Sequence, residues 1–276
     1  MDMLHAALYG LIQGLTEFLP VSSSGHLALA QGFFGGANIE TDYMAFDILL
    51  HFGTLLAVFV AYGKTILRLI YEFITMCQDI VKGKGPQLKR YPYRKMVVML
   101  ILSIIPLFAI LPIKDAIDSL YTNTFMVGLF LCITAFILYV ADIQTGGKKN
   151  VQTARLGDGF KVGIFQAFAT LPGISRSGST IAAGMLCGFE KEFAVEFAFI
   201  MSIPAIIGAN LLHVGDLLTI SASQVLPYLV GTVVAAVSGF CAIKLLDFIA
   251  KRKNFRIFSY YCVIVGIVAM VLSLFK

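Results

Sequence analysis

Residues 4–34 read LHAALYGLIQGLTEFLPVSSSGHLALAQGFF, an apolar run broken near its middle by Leu19-Pro20-Val21-Ser22-Ser23-Ser24-Gly25-His26. Residues 158–188 read DGFKVGIFQAFATLPGISRSGSTIAAGMLCG, broken by Leu171-Pro172-Gly173-Ile174-Ser175-Arg176-Ser177-Gly178-Ser179-Thr180. Each flank supplies only about 12–15 residues, whereas a helix needs about 20 to cross the hydrocarbon core. A backbone that stops partway has to turn back within protein, because lipid offers its N–H and C=O groups no partners. Both segments are therefore expected to be re-entrant helical hairpins, each entering and leaving on one face.

The remainder of the chain supports a membrane setting. Of its 276 residues 58% are hydrophobic and only 13% are charged, with a mean hydropathy of +0.86. A soluble domain carries about 25% charged residues, so water cannot be the solvent for this surface. Six further runs, 45–62, 96–113, 123–142, 193–213, 225–245 and 257–275, are long and apolar enough to cross, and none alternates with the period of a barrel strand. The expected fold is an all-α integral membrane protein with six transmembrane helices and two re-entrant hairpins. Cys77, Cys132, Cys187, Cys241 and Cys262 stand singly in apolar sequence, which argues against a disulfide framework or a zinc site. The N-terminus shows no basic segment followed by a small-residue cleavage site, so insertion is expected to rely on internal helices.

Basic residues test the span count. Lys82, Lys84, Lys89, Arg90, Arg94 and Lys95 fall in one loop, Lys148, Lys149, Arg155 and Lys161 in another, and Lys251, Arg252, Lys253 and Arg256 in a third. The loops between them are nearly free of bases, so the positive-inside rule makes the basic loops cytoplasmic and both termini external. The same distribution excludes a nucleic-acid binder, because the bases mark topology and form no single binding face. Residues 64–82, with Lys64, Arg68, Glu72 and Asp79 among Ile and Leu, suit a helix lying on the cytoplasmic surface.

The two broken segments also resemble each other. An offset of 153 pairs Gly10 with Gly163, Gln13 with Gln166, Ser22 with Ser175, Ser24 with Ser177 and Gly25 with Gly178. Each hairpin is followed by three spans, and three crossings oblige the second half to start from the opposite face. Residues 1–142 and 143–276 are thus expected to be inverted-topology repeats whose broken helices meet near the midplane. The Gly-rich stretches 184–188 and 231–239 suit close packing either within a monomer or across a homodimer.

An ionised side chain near the bilayer centre costs at least about 2.5–3.5 kcal/mol, so Glu17, His26, Asp47, His51, Arg176 and Glu196 each need a reason. Glu17 is read as functional, and Gln13, four residues earlier on the same face, either joins it or bonds a neighbouring helix. Ser175, Arg176, Ser177, Gly178, Ser179 and Thr180 open a half-helix, whose N–H groups and dipole favour an anion that Arg176 can grip in bidentate fashion. Ser22, Ser23, Ser24 and Gly25 supply a matching turn, and together the two form a phosphate cradle. Close helix packing would explain the Ser and Gly residues, but not Arg176. His26 is read either as a general acid or base or as a hydrogen bond that stitches the turn; Asp47, His51 and Glu196 are read as packing or supporting residues.

The stretch from Gln13-Gly14-Leu15-Thr16-Glu17 through His26, and Pro172-Gly173-Ile174-Ser175-Arg176-Ser177-Gly178-Ser179-Thr180, resemble the two signature motifs of the undecaprenyl-diphosphatase family, also called bacitracin-resistance proteins. The resemblance extends over the full chain in span count and loop placement. It implies an enzyme of the bacterial cytoplasmic membrane, its site open to the outer face, that removes the terminal phosphate of undecaprenyl diphosphate and returns the lipid carrier to peptidoglycan synthesis. It further implies a divalent cation, Mg²⁺ or Ca²⁺, with Glu17 as ligand. Glu17, Ser23 and Arg176 match catalytic positions, with His26 a lesser participant, and Gln13 stands where the family has Glu or Gln. On this reading Arg176 and the 175–180 backbone hold the diphosphate, and either Ser23 or a metal-bound water activated by Glu17 or His26 attacks phosphorus. The competing expectation is a transporter or flippase of a lipid phosphate or other anion, since inverted repeats with broken helices also build alternating access.

Overall fold

In the computed structural model, which describes residues 1–34, 42–144, 147–212, 214–252 and 254–275, long apolar helices pack with two pairs of short ones. Residue 213, at the end of the fourth expected span, and Lys253 lie outside the described residues. The helices are α1 (Met3–Phe18), α2 (Ser23–Phe34), α3 (Asp42–Val81), α4 (Pro92–Phe108), α5 (Lys114–Asp118), α6 (Thr124–Ile143), α7 (Leu156–Phe168), α8 (Arg176–Leu186), α9 (Lys191–Leu212), α10 (Ala222–Arg252) and α11 (Arg256–Ser273). Six helical segments, beginning at Ala45, Pro92, Thr124, Lys191, Ala222 and Arg256, are long and apolar enough to cross a membrane, so the chain is a multi-pass membrane protein. They coincide with the six runs expected from the sequence.

The four short helices, α1, α2, α7 and α8, have 16, 12, 13 and 11 residues, below the length needed to cross. Their boundaries follow from local chemistry. Asp2 caps α1 by accepting from the His5 N–H at 2.8 Å, and α1 stops at Leu19 because the residue before Pro20 is driven into extended backbone. The Asp158 carboxylate accepts from the Arg155 N–H at 2.9 Å to open α7, and also binds Lys149 Nζ at 2.9 Å.

Backbone contact seats these short helices. A Cβ on Gly10 would lie 2.3 Å from the Gly231 carbonyl oxygen of α10, and one on Gly163 would lie 2.3 Å from the Ser103 carbonyl oxygen of α4. Only hydrogen fits at either position, so α1 lies directly on α10 and α7 on α4. In the glycine-rich stretches, Gly239 lies against the Phe18 ring and Gly184 against the side chains of Phe189 and Ala194. Phe18 then packs edge-on to Phe199 of α9 with centroids 5.2 Å apart, which ties α1 to the main apolar core.

Helix α3 combines two expected elements. Its 40 residues would extend about 60 Å, twice the hydrocarbon thickness, and the helix kinks at Tyr62 (φ −115°, ψ 21°). Beyond the kink, Arg68 stacks on Tyr93 at 4.9 Å while Arg94 reaches Glu72 at 3.2 Å and Asp79 at 2.8 Å. Arg68, Glu72 and Asp79 thus each contact the first turn of α4, through Tyr93 or Arg94. Ile66, Leu69, Glu72 and Met76 face inward, and Leu67, Ile70, Ile74 and Val81 face outward.

Other intramembrane or boundary charges are paired as well. Asp142 binds Lys191 and, at 3.2 Å, Arg256, so α6, α9 and α11 share one carboxylate.

Two stability outcomes follow. Gly10→Leu should unseat α1 and lower the thermal unfolding midpoint in detergent, an overpacking cost of about 1–3 kcal/mol, whereas Gly63→Ala, with open space around its Cβ, should leave the midpoint within a degree or two of wild type. Arg94→Ala strands the buried Glu72 carboxylate and should destabilise by about 3 kcal/mol; an unchanged midpoint would show that Arg68, 3.7 Å from Glu72, suffices.

Candidate active site

The tips of the two short-helix pairs meet. Ser177 Oγ donates to the Leu19 carbonyl oxygen at 3.1 Å, and a Cβ on Gly25 would come within 3.1 Å of Gly173 Cα. Each tip is built by the same capping bond: the Ser22 hydroxyl accepts from the Gly25 N–H at 3.2 Å, and the Ser175 hydroxyl accepts from the Gly178 N–H at 3.0 Å. Each capping serine also lies beside the serine two residues on, Ser22 with Ser24 at 3.4 Å and Ser175 with Ser177 at 3.2 Å. In the first turn Ser22 adopts φ +72°, a left-handed conformation uncommon for a residue with a Cβ, whereas the second turn has its left-handed residue at Gly173, φ +97°.

Two long helices hold the turns from outside. Thr134 of α6 donates its hydroxyl to the Gly173 carbonyl oxygen at 3.0 Å and accepts from the Ser175 N–H at 3.0 Å. Cys262 of α11 approaches the Pro20 carbonyl oxygen with its thiol at 3.7 Å. No local pattern marks Thr134 or Cys262 in the sequence; they matter only because α6 and α11 run past the tips.

Glu17 lies at the junction, on the last turn of α1 and almost wholly buried. Its Oε2 accepts from Ser23 Oγ at 2.6 Å and from Gln13 Nε2 at 3.0 Å, and its Oε1 faces Arg176 Nη1 at 3.3 Å. The structure thus brings together Gln13, Glu17, Ser23 and Arg176, four of the residues singled out from the sequence. Gln13 is fully buried, and while its Nε2 bonds Glu17 its Oε1 has no hydrogen-bond partner among the described residues, an unsatisfied acceptor in low dielectric. Phe18, Ser177, Thr180, Ala198, Phe199 and Ser202 line the crevice around Glu17 and Arg176.

The other expected residues take different positions. His26 Nδ1–H donates to the Ser22 carbonyl oxygen at 2.8 Å, and its Nε2 accepts from the Tyr261 hydroxyl at 2.8 Å. The His26 ring also stacks on Tyr261, so both nitrogens are engaged by the turn and by α11 rather than by Glu17. Thr180 hydrogen-bonds the Arg176 carbonyl oxygen at 2.8 Å within α8, and Ser179 Oγ is buried without a partner among the described residues. Glu196 accepts from Thr65 at 2.8 Å. Among the described residues no three His, Cys, Asp or Glu side chains converge as a metal cage.

The chemistry available is that of anion capture beside a hydroxyl and a carboxylate, at the N-termini of two helices that face each other. Comparison with known proteins agrees in kind. The family model described as Bacitracin resistance protein BacA matches residues 6–268. A protein of Alkaliphilus metalliredigens named undecaprenyl-diphosphatase is 42% identical, the alignment covering 99% of this chain and 100% of the relative. Proteins of the same name from Methanosphaera stadtmanae and Methanobrevibacter smithii are 40% and 39% identical, with 99% of each chain covered. With the match running from α1 to α11 and taking in both capped turns, the chain belongs to the BacA bacitracin resistance protein family.

Proposed function

We propose that the protein is a membrane phosphatase that hydrolyses undecaprenyl diphosphate to undecaprenyl phosphate and inorganic phosphate. The observation that carries this reading is the Ser23 hydroxyl 2.6 Å from Glu17, a carboxylate that Arg176 pins from the other helix pair. An anion carrier has use for the cradle and the arginine, but not for a hydroxyl held against a carboxylate. The names of the relatives support the same substrate.

In the mechanism, Arg176 and the first turn of α8 hold the diphosphate while Glu17 accepts the proton of Ser23 Oγ. The freed oxygen attacks the terminal phosphorus, the bond from that phosphorus to the bridging oxygen breaks, and undecaprenyl phosphate leaves. Water then attacks the phosphoserine; the bond from phosphorus to Ser23 Oγ breaks, Glu17 returns its proton to that oxygen, and phosphate leaves carrying the water's oxygen and protons. Direct attack by water, with Glu17 as base, is the alternative route through the same residues. Positioning and charge stabilisation dominate such transfers.

The donor set suits a divalent cation shared with the substrate. Glu17 is a single carboxylate, Gln13 Oε1 is an unpartnered oxygen beside it, and a hard cation of this kind takes one or two carboxylates plus phosphate oxygens. Mg²⁺ or Ca²⁺ held there would neutralise charge developing on the phosphate oxygens.

The two helix pairs are read as re-entrant hairpins, and residues 1–142 and 143–276 as inverted repeats. The equal spacing of the Gly10 and Gly163 contacts and of the two serine caps supports this arrangement. With the basic loops cytoplasmic, α3 beyond Tyr62 lies along the inner surface and the catalytic junction opens outward, as a lipid carrier released at the outer face would require.

Purified protein should release phosphate from undecaprenyl diphosphate only with Mg²⁺ or Ca²⁺ present, and Glu17→Ala and Arg176→Ala should each lower kcat/KM by about 100-fold or more. Metal-dependent release lost in both variants supports the site; no release from folded wild type, with lipid phosphate crossing vesicles instead, would favour the carrier. Ser23→Ala separates the two routes. A phosphoserine trapped at Ser23 in wild type, with the variant inactive, selects the covalent one; retention of most activity selects water.

A further inference from the structure

Glu17 has a neighbour for which this mechanism gives no role. His51, on α3, holds Nε2 3.9 Å from Glu17 Oε2, while Arg176 approaches Oε1 of the same carboxylate at 3.3 Å. The ring is aimed from behind: Nδ1 lies 3.0 Å from the Asp47 carbonyl oxygen and 3.4 Å from the Asp47 carboxylate. A carbonyl oxygen only accepts, so Nδ1 carries a hydrogen directed at Asp47 and Nε2 is left facing the site. At 3.9 Å Nε2 is beyond hydrogen-bonding distance of Glu17, so its bonding capacity is not spent there.

Exposure falls stepwise along these residues. The side chain of Asp47 is 51% accessible, that of His51 19% and that of Glu17 5%. A group approaching Glu17 along α3 therefore meets His51 before it meets the carboxylate. A histidine that served packing alone would not need its ring fixed by Asp47 with the free edge turned toward the one carboxylate at the helix-tip junction.

We propose that His51 is a substrate-binding residue: its Nε2 hydrogen-bonds the phosphate group that Arg176 grips from the opposite side, and Asp47 is the positioning residue that aims it. Phosphate suits either form of Nε2, because it offers both oxygens and, when protonated, a hydroxyl. The inference deepens the phosphatase reading and rests on it for the identity of the anion. It adds a contact from α3 to a cradle otherwise made of α1, α2 and α8.

Steady-state phosphate release from undecaprenyl diphosphate at saturating Mg²⁺ tests it, with unfolding midpoints confirming that each variant folds. His51→Ala should raise KM about tenfold, the weight of one charge-assisted hydrogen bond, with kcat changed far less. His51→Gln, which keeps a polar group at that reach, should recover most of the KM. Asp47→Ala should raise KM in the wild-type background and add nothing in the His51→Ala background, as expected when one residue acts through the other. An unchanged KM in His51→Ala, a loss confined to kcat, or no recovery in His51→Gln overturns the proposal. Binding of the non-hydrolysable methylene analogue of a prenyl diphosphate keeps the test independent of turnover. Weaker binding by His51→Ala supports the proposal even if wild type releases no phosphate; equal binding, or none by wild type, overturns it.

Discussion

A carboxylate inside an apolar helix bundle is tolerable only if its charge is met, and the pairing of Glu17 with Arg176 organises the molecule around that requirement. Removing an ion from water costs several kcal/mol, which one partner at 3.3 Å repays only with further hydrogen bonds. Ser23 and Gln13 supply them. Because Glu17 and Arg176 come from different halves of the chain, satisfying one charge fixes how the two helix pairs dock. The same arrangement leaves a cluster of donors at a place where lipid phosphate is the available anion.

The docking depends on contacts with little tolerance. Hydrogen-only clearances at Gly10 and Gly163 bring two short helices onto the backbones of long ones, and Thr134 and Cys262 hold the two turns by carbonyl groups at corresponding positions, Gly173 and Pro20. Ser23 and Arg176 are themselves 153 residues apart, one place after the capping serines Ser22 and Ser175. A single scaffold position thus carries a hydroxyl in one half and a guanidinium in the other. The halves share a way of capping a broken helix and differ in the chemistry placed just beyond the cap.

Much of this was legible in sequence because membrane folds obey few rules. Six apolar runs of sufficient length and two interrupted ones led to the spans and the broken segments, and the spacing of Ser22, Gly25, Ser175 and Gly178 led to the internal repeat, though not to the capping bonds those serines make. Glu17, Arg176, Ser23 and Gln13 stood out because polar groups in apolar surroundings require partners. The residues whose roles the sequence does not reveal have no such signature. Thr134, Cys262 and Tyr261 are ordinary in a transmembrane helix, and their roles exist only once α6 and α11 pass the helix tips. His26 was marked by its type, yet its direction, toward Tyr261, is a matter of rotamer and neighbour. The sequence separates the first span, 45–62, from the surface segment, 64–82, at Gly63, whereas the helix runs on past a kink at Tyr62, the residue whose φ and ψ depart from helical values.

Pairing α1 with α10 also bears on how the protein is made. Gly10 lies against Gly231, and synthesis proceeds at about 5–20 residues per second, so the first helix waits about 10–40 s for its partner to leave the ribosome. During that interval Glu17 has no Arg176, and α1 is too short to cross the bilayer by itself. The nascent chain must therefore be sheltered, at the insertion machinery or at the water interface, until the second half arrives. Assembly therefore joins α1 to a helix made more than 200 residues later, and the junction cannot close before Arg176 has emerged.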